Sequence, residues 1–254
     1  MKLAEYEIMS AVEDEHWWYV GLRDLLARLL RQREWPASGL SVLDAGCGTG
    51  ANLRFLQQQL KPDTLCGFDF SPSAIERAQQ KAPEAEIYEC DLRQPQFRDG
   101  DFDLILSCDV LTETGLEAAR DGMHQLTACL RPGGWLVLNL AAYEWLRSNH
   151  DQAVNTVQRF TCRTVREFVE SLGLESRVLS YRMFPLLPAV VLARLPSMLR
   201  RGSSASAQSD LSIPAAPVNT FLKRALFAEN FLIERGWGLP CGSSVICVAQ
   251  RPAS

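Results

Sequence analysis

The chain has 254 residues, with 26 Lys and Arg against 30 Asp and Glu, a net charge of −4, and 47% apolar residues. That balance suits one soluble globular domain carrying a cap and excludes a disordered or collagen-like chain. A mildly acidic chain without Lys/Arg blocks lacks the footprint of a protein that grips phosphate backbones, so no nucleic-acid partner is expected. Among the eight cysteines no two are spaced as Cys-x-x-Cys, so neither a metal site nor a disulfide framework is expected. Cysteines set in apolar runs, such as Cys66 and Cys247, read as buried hydrophobes of a reducing compartment, and the expected location is cytoplasmic. Residues 1–15 show no apolar stretch behind a basic start, so no secretory signal is expected.

Val20, Leu22, Leu25, Leu26, Leu29 and Leu30 recur at the helical period, with Arg23, Asp24, Arg28 and Arg31 opposite, which predicts a helix over 15–33. Pro36, Ser38 and Gly39 end it. The apolar run 40–45 then closes on glycines, the profile of a buried parallel strand. A helix over 52–60, a strand over 65–70 and a helix over 75–81 follow, the last opened by Ser71 at the cap and Pro72 in the first turn. The alternation continues with strands at 86–90 and 103–107, a helix over 116–130, a turn at 131–134, a strand over 135–140, a helix over 164–172 and strands at 176–181 and 244–250. Strands alternating with helices predict an α/β fold with a parallel sheet covered on both faces.

About sixty residues, 182–242, separate the last two strands, where a short connection would suffice. They open on an apolar run, 184–192, too short and too broken by proline to span a bilayer, followed by Arg194, Arg200 and Arg201. No transmembrane segment is expected, while a peripheral membrane contact stays open. A Ser/Ala/Gln-rich loop leads to a second helix over 217–235. This insertion brings Phe184, Leu186, Leu187, Val190, Val191, Phe221, Phe227 and Trp237. They would either enclose a small apolar molecule or form a dimer contact, so both monomer and homodimer remain open.

The strongest pattern is Asp44-Ala45-Gly46-Cys47-Gly48-Thr49-Gly50, with glycines at alternate positions between a strand and a helix. Glycine there lets backbone approach a ligand, and a helix start presents amides to an anion. The spacing is neither Gly-x-Gly-x-x-Gly nor a phosphate loop ending in Gly-Lys-Ser/Thr. Taken alone such a turn is equally a structural one.

The motif resembles motif I of the class I S-adenosylmethionine (SAM) dependent methyltransferases, and the resemblance continues through Asp69, Asp91, the segment 99–105 and the segment 130–136. It covers about 15–180 and the last strand. It implies a Rossmann-like, doubly wound, seven-stranded and mostly parallel sheet with an antiparallel last strand, plus a helical insertion before that strand. The expected division is an N-terminal helical cover at 1–36, a SAM-binding core at 37–181, a cap at 182–242 and the final strand at 243–254. The cofactor would be S-adenosyl-L-methionine and the product S-adenosyl-L-homocysteine, held by Asp44, Gly46, Cys47, Gly48 and Gly50 at the turn, with Asp69 on the ribose hydroxyls and Asp91 on the adenine amino group. Phe70, Leu92 and Ser107 complete the set. His16-Trp17-Trp18-Tyr19 resembles the start of the N-terminal helix in a bacterial small-molecule subgroup. Trp18 is assigned to the cofactor, with a hydrophobic plug between helix and sheet as an equal reading.

Relatives often carry Glu-His after the fourth strand, where this chain has Asp109-Val110-Leu111-Thr112-Glu113-Thr114. Glu113 could substitute, although a carboxylate near a helix start needs no further explanation. Methyl transfer needs chiefly alignment and exclusion of water, but a hydroxyl or amine acceptor must lose a proton. His150, in a loop after the fifth strand, is the first candidate base, with Tyr143 and His16 behind it. His150 and Asp151 bracing the loop against Arg159 is the competing reading, and His124 reads as a surface residue. The expected function is methylation at O, N or C of a small, partly apolar metabolite. The alternatives are a SAM-using enzyme that closes the cofactor's aminobutyryl arm into a ring, and a SAM-binding module without turnover.

Overall fold

The computed structural model describes residues 3–148, 151–152, 154–192 and 212–253. Helices α1 (Leu3–Val12) and α2 (Trp17–Arg31) precede the sheet. The first was not expected; a three-residue turn at Glu13, Asp14 and Glu15 divides it from the second, whose start His16 caps by accepting the Trp18 amide at Nδ1. The order then runs β1 (Ser41–Ala45), α3 (Ala51–Leu60), β2 (Thr64–Asp69), α4 (Pro72–Lys81), β3 (Glu86–Glu89) and β4 (Phe102–Cys108). It continues through α5 (Val110–Thr114), α6 (Leu116–Ala128), β5 (Leu130–Ala141), α7 (Cys162–Ser171), β6 (Glu175–Arg182), α8 (Ala216–Glu234) and β7 (Ser244–Gln250).

The seven strands form one sheet in the order β3-β2-β1-β4-β5-β7-β6, with β7 antiparallel to both neighbours and the other pairings parallel. The strand order reverses between β1 and β4, and in such sheets the crevice beyond the carboxyl ends at that point is the natural ligand site. Successive residues of a strand face opposite ways, so the central strands feed two apolar layers. Leu43, Ile105, Leu136 and Leu138 pack toward α6 and α7, whereas Val42, Leu104, Leu106 and Val137 pack toward α2 and α3.

Two local expectations need correction. The predicted turn at 131–134 is the beginning of β5, which pairs Leu130 with Phe102 before a register shift, and Gly133 takes φ +81° there. The irregularity absorbs the residues that looked like a turn. Ser71 is the N-cap of α4, but its hydroxyl makes no capping bond; the Ser71 amide instead donates to Asp69 Oδ1 at 3.0 Å.

Helix α8, the second helix of the insertion, lies against α2. Asn230 Nδ2 donates to the Gly21 carbonyl at 2.8 Å and to Asp24 at 2.9 Å, and Asn219 accepts the Trp17 amide and donates to the Glu15 carbonyl, both at 3.0 Å. A Cβ on Gly21 would stand 2.3 Å from Leu226 Cδ1, so this glycine sets the closeness of the two helices.

Candidate active site

A cleft of about 1180 Å³ opens beyond the carboxyl ends of β1, β2 and β4. Its floor is the β1–α3 turn. Gly46 and Gly48 sit at φ +81° and +54°, and a Cβ on Gly46 would fall 2.1 Å from Val110, so glycine is required by both conformation and space. The Gly46 and Cys47 amides donate to the Phe68 carbonyl at 2.9 and 2.8 Å, and the Gly48 amide to Asp69 Oδ2 at 2.9 Å. Asp69 thereby holds the turn, the start of α4 and, through its other oxygen, the Tyr6 hydroxyl at 3.3 Å.

Of the residues assigned to the cofactor, Gly46, Cys47, Gly48, Asp69, Phe70, Asp91, Leu92 and Trp18 all line this one cleft. Three do not. Gly50 answers a packing demand, since its Cβ would meet the Ala78 Cα at 2.7 Å where α3 crosses α4. Asp44 lies wholly buried beneath the turn, and Ser107 is buried within β4. The Asp91 carboxylate accepts from Arg93 at its backbone and guanidinium, which holds its pKa below the usual range.

Asp44 is the unusual group. Neither carboxylate oxygen has a hydrogen-bond partner among the described residues, and burial, with Asp69 nearby, pushes its pKa up to about 8. An unpartnered carboxylate is costly at such a depth, and burial favours its neutral form. The glycine cradle and the carboxylates at 69 and 91 form a donor set that fits a cationic nucleoside such as SAM. Asp109, also in the cleft, is pushed up to about 7 chiefly by burial, against the Asn139 bond that lowers it. Both folded values exceed those of the unfolded chain, so the folded state holds extra protons, and its stability declines as pH rises toward 8. His16 shifts the opposite way, to about 4, chiefly through burial, and its contribution is complete above pH 6.5. Between pH 6.5 and 8 the melting temperature of the cofactor-free protein should therefore fall, and Asp44→Asn should flatten that fall. Equal slopes in differential scanning fluorimetry would refute the assignment.

The predicted bases separate. His150 lies outside the described residues. Tyr143 does not line the cleft: its ring stacks between Trp145 and Tyr181, at centroid distances of 5.6 and 4.9 Å, and packs against the core. A φ of +55° follows from its place between the end of β5 and a short helical turn. His16 does line the cleft, as a neutral imidazole whose Nδ1 is taken by the α2 cap. Asp151 and Arg159 form the brace that competed with catalysis, with Arg159 Nε 2.7 Å from Asp151 Oδ1 and both side chains almost wholly buried. Arg159 also lines the cleft and donates to the Ala142 carbonyl at 2.7 Å.

Several lining residues were missed. Tyr6 and Met9 come from α1 and Glu13 from the turn just beyond it, at the i, i+3, i+7 spacing of one helix face, a pattern carried by the acidic N-terminal stretch. Glu13 is buried, accepts the Thr49 hydroxyl at 2.6 Å and pairs with Lys81, so it latches α1 over the turn. Asp109, held at φ +62°, accepts from Asn139 Nδ2 at 3.1 Å, and Arg182 Nη1 donates to Asn139 Oδ1 at 2.7 Å. This polar chain crosses β4, β5 and β6, and no spacing within one strand reveals it.

A methyltransferase-domain family model matches residues 42–134. The chain is 32% identical over 110 residues to the biotin biosynthesis bifunctional protein BioCD of Bordetella avium, covering 43% of this chain and 23% of that protein. It is 31% identical over 155 residues to the trans-aconitate 2-methyltransferase of Deinococcus radiodurans, covering 59% and 52%. This chain thus spans at most about half the length of either of these curated relatives. Among solved structures, the methyltransferase bound to the Trm112 activator of Haloferax volcanii matches over 98% of this chain and 94% of that one, with a TM-score of 0.61 and 20% identity, which is a likeness of fold. The methyltransferase-domain match over 42–134, the glycine cradle at the sheet's switch point and the seven-stranded sheet together support a SAM-dependent methyltransferase of the class I fold.

Proposed function

We propose that the chain transfers the methyl group of SAM to a small, partly apolar metabolite. The observation that carries this reading is a single cleft larger than the roughly 300–1,000 Å³ that one drug-sized ligand fills. Its lining includes the glycine cradle, Asp69 and Asp91. It also includes Trp17, Met183 and Val190, which share one apolar cluster, with Thr112, Ser148, Arg159 and Ser244 as polar anchors. Bound SAM would supply a methyl group on a sulfonium. In this reading Asp69 accepts the ribose hydroxyls, the Leu92 segment and Asp91 receive the adenine, and the exposed ring of Phe70 covers the base at the cleft mouth. The chain's own contribution is to align the acceptor and exclude water, with α1 and α2 closing the cleft from above. Where the acceptor bears a proton, His150 is the proposed base.

Asp69→Ala removes an acceptor on which both the ligand and the turn depend. SAM affinity should fall by about 1–3 kcal/mol, roughly 5- to 150-fold. Calorimetry showing unchanged affinity would remove Asp69 from the site. Product analysis tests the function itself. Incubation with SAM and extracts of small metabolites should yield S-adenosyl-L-homocysteine and a methylated product. Methylthioadenosine would instead mark attack on the aminobutyryl arm, and tight binding with no product in any extract would mark a binding module.

A further inference from the structure

Helix α8 buries one face and leaves the other bare. Asn219, Leu226, Glu229, Asn230 and Ile233 point inward. On the opposite side of the helix lie Val218, Phe221, Arg224, Phe231, Leu232 and Arg235, all exposed, and Trp237 follows the helix. Phe221 and Trp237 are each 66% exposed, and five of the large exposed hydrophobic residues belong to this one short segment, 218–237. Single exposed apolar residues are ordinary, whereas several large ones gathered on one face of one helix mark a contact surface.

Charge decides what it contacts. The exposed charges on this face are Arg224 and Arg235, both basic. The acids of α8 are turned to other uses. Glu229 is buried and accepts the Met183 and Phe184 amides at 2.6 and 2.7 Å, and Glu234 pairs with Arg28 at 2.7 Å. The guanidinium of Arg235 lies 4.0 Å from the Phe231 ring centroid, so a cation sits directly on the apolar row. Across 182–242 the sequence carries seven Lys and Arg against three Asp and Glu, a net of +4 in a chain whose total is −4. A second copy meeting this face through a two-fold axis would set these arginines among their own kind with no acid to neutralise them.

We propose that this face of α8 docks the protein on the surface of a membrane that carries anionic lipids. Phe221, Phe231 and Leu232 would enter the boundary of the acyl region, Trp237 would lie at headgroup level, and Arg224 and Arg235 would meet lipid phosphates. The attachment is peripheral, since no helix among the described residues is long and apolar enough to cross a bilayer.

Vesicle co-sedimentation tests this directly. The full chain should pellet with vesicles of equimolar phosphatidylcholine and phosphatidylglycerol and stay in the supernatant with phosphatidylcholine alone, and added salt should release it. Phe221→Glu with Phe231→Glu should abolish binding. Arg224→Ala and Arg235→Ala should each weaken it about fivefold. None of these four side chains lines the cleft, so SAM affinity of the variants checks that they fold. Failure of the wild-type chain to pellet with the anionic vesicles overturns the proposal, as does equal pelleting of the glutamate variant. A wild-type dimer in analytical ultracentrifugation that the glutamate variant dissolves would likewise overturn it, and assign the face to self-association.

Discussion

Asp151→Ala should destabilise the protein by about 3–5 kcal/mol, the range expected when one member of a buried ion pair is removed and the other charge is left without its counter-ion. Arg159 and Asp151 expose 3% and 1% of their side chains. Asp151 also accepts the Ser148 amide at 2.8 Å and lies hydrogen-bonded to the Thr156 amide through its own carbonyl at 2.7 Å. Substitution by alanine keeps that carbonyl but removes the carboxylate's bonds to Ser148 and Arg159, two residues that line the cleft. Urea denaturation should show the loss as a lower midpoint with an unchanged slope. Replacing both partners with apolar residues, as in Asp151→Leu with Arg159→Met, should recover much of it, because no charge is then stranded. A single variant that loses less than about 1 kcal/mol would mean that water reaches the pair and that the brace is not structural.

Gly122→Ala, outside the cleft lining but packed directly against its backbone, should damage the site from behind. A Cβ at this position in α6 would stand 1.8 Å from the Leu92 carbonyl oxygen and 2.9 Å from the Arg93 Cα, backbone on both sides, so no side-chain rotation relieves the overlap. Either α6 lifts from the sheet or the 91–93 segment shifts. Overpacking of this kind costs about 1–3 kcal/mol and more where backbone must move. Because Asp91 and Leu92 lie on the displaced segment, SAM affinity should fall along with stability. Wild-type affinity together with a wild-type melting temperature would show that α6 yields freely. His124, two residues on, belongs to the same helix but not to the cleft.

Much of the fold was legible because local patterns carried it. The alternating helical and extended segments, the apolar strands 40–45 and 103–107 and the glycine turn all express periodicities within ten or fifteen residues. The boundaries of β7 and the place of α8 followed from the same signals. The turn expected at 131–134 misled because Pro-Gly-Gly chemistry also suits a strand irregularity, and only pairing with β4 distinguishes the two. Helix α1 has only weak amphipathic contrast over Leu3–Val12, so the spacing of Tyr6, Met9 and Glu13 does not by itself predict a helix; its anchorage is tertiary, with Glu13, just beyond it, reaching Thr49 and Lys81.

The candidate site divides in the same way. By itself the sequence determined that the glycines at 46 and 48 and the acids at 69 and 91 belong together, since each lies at the end of a strand or the start of a turn and their spacing repeats a known motif. Only the tertiary structure decided that Gly50 serves helix packing, that Tyr143 belongs to an aromatic stack, and that Asp109, Asn139 and Arg182 form one buried chain. Contacts between residues far apart along the chain depend on strand order and on how helices settle against the sheet, and these are properties of the whole core. A periodicity read along one segment carries the face that will be buried, but not the partner that will cover it.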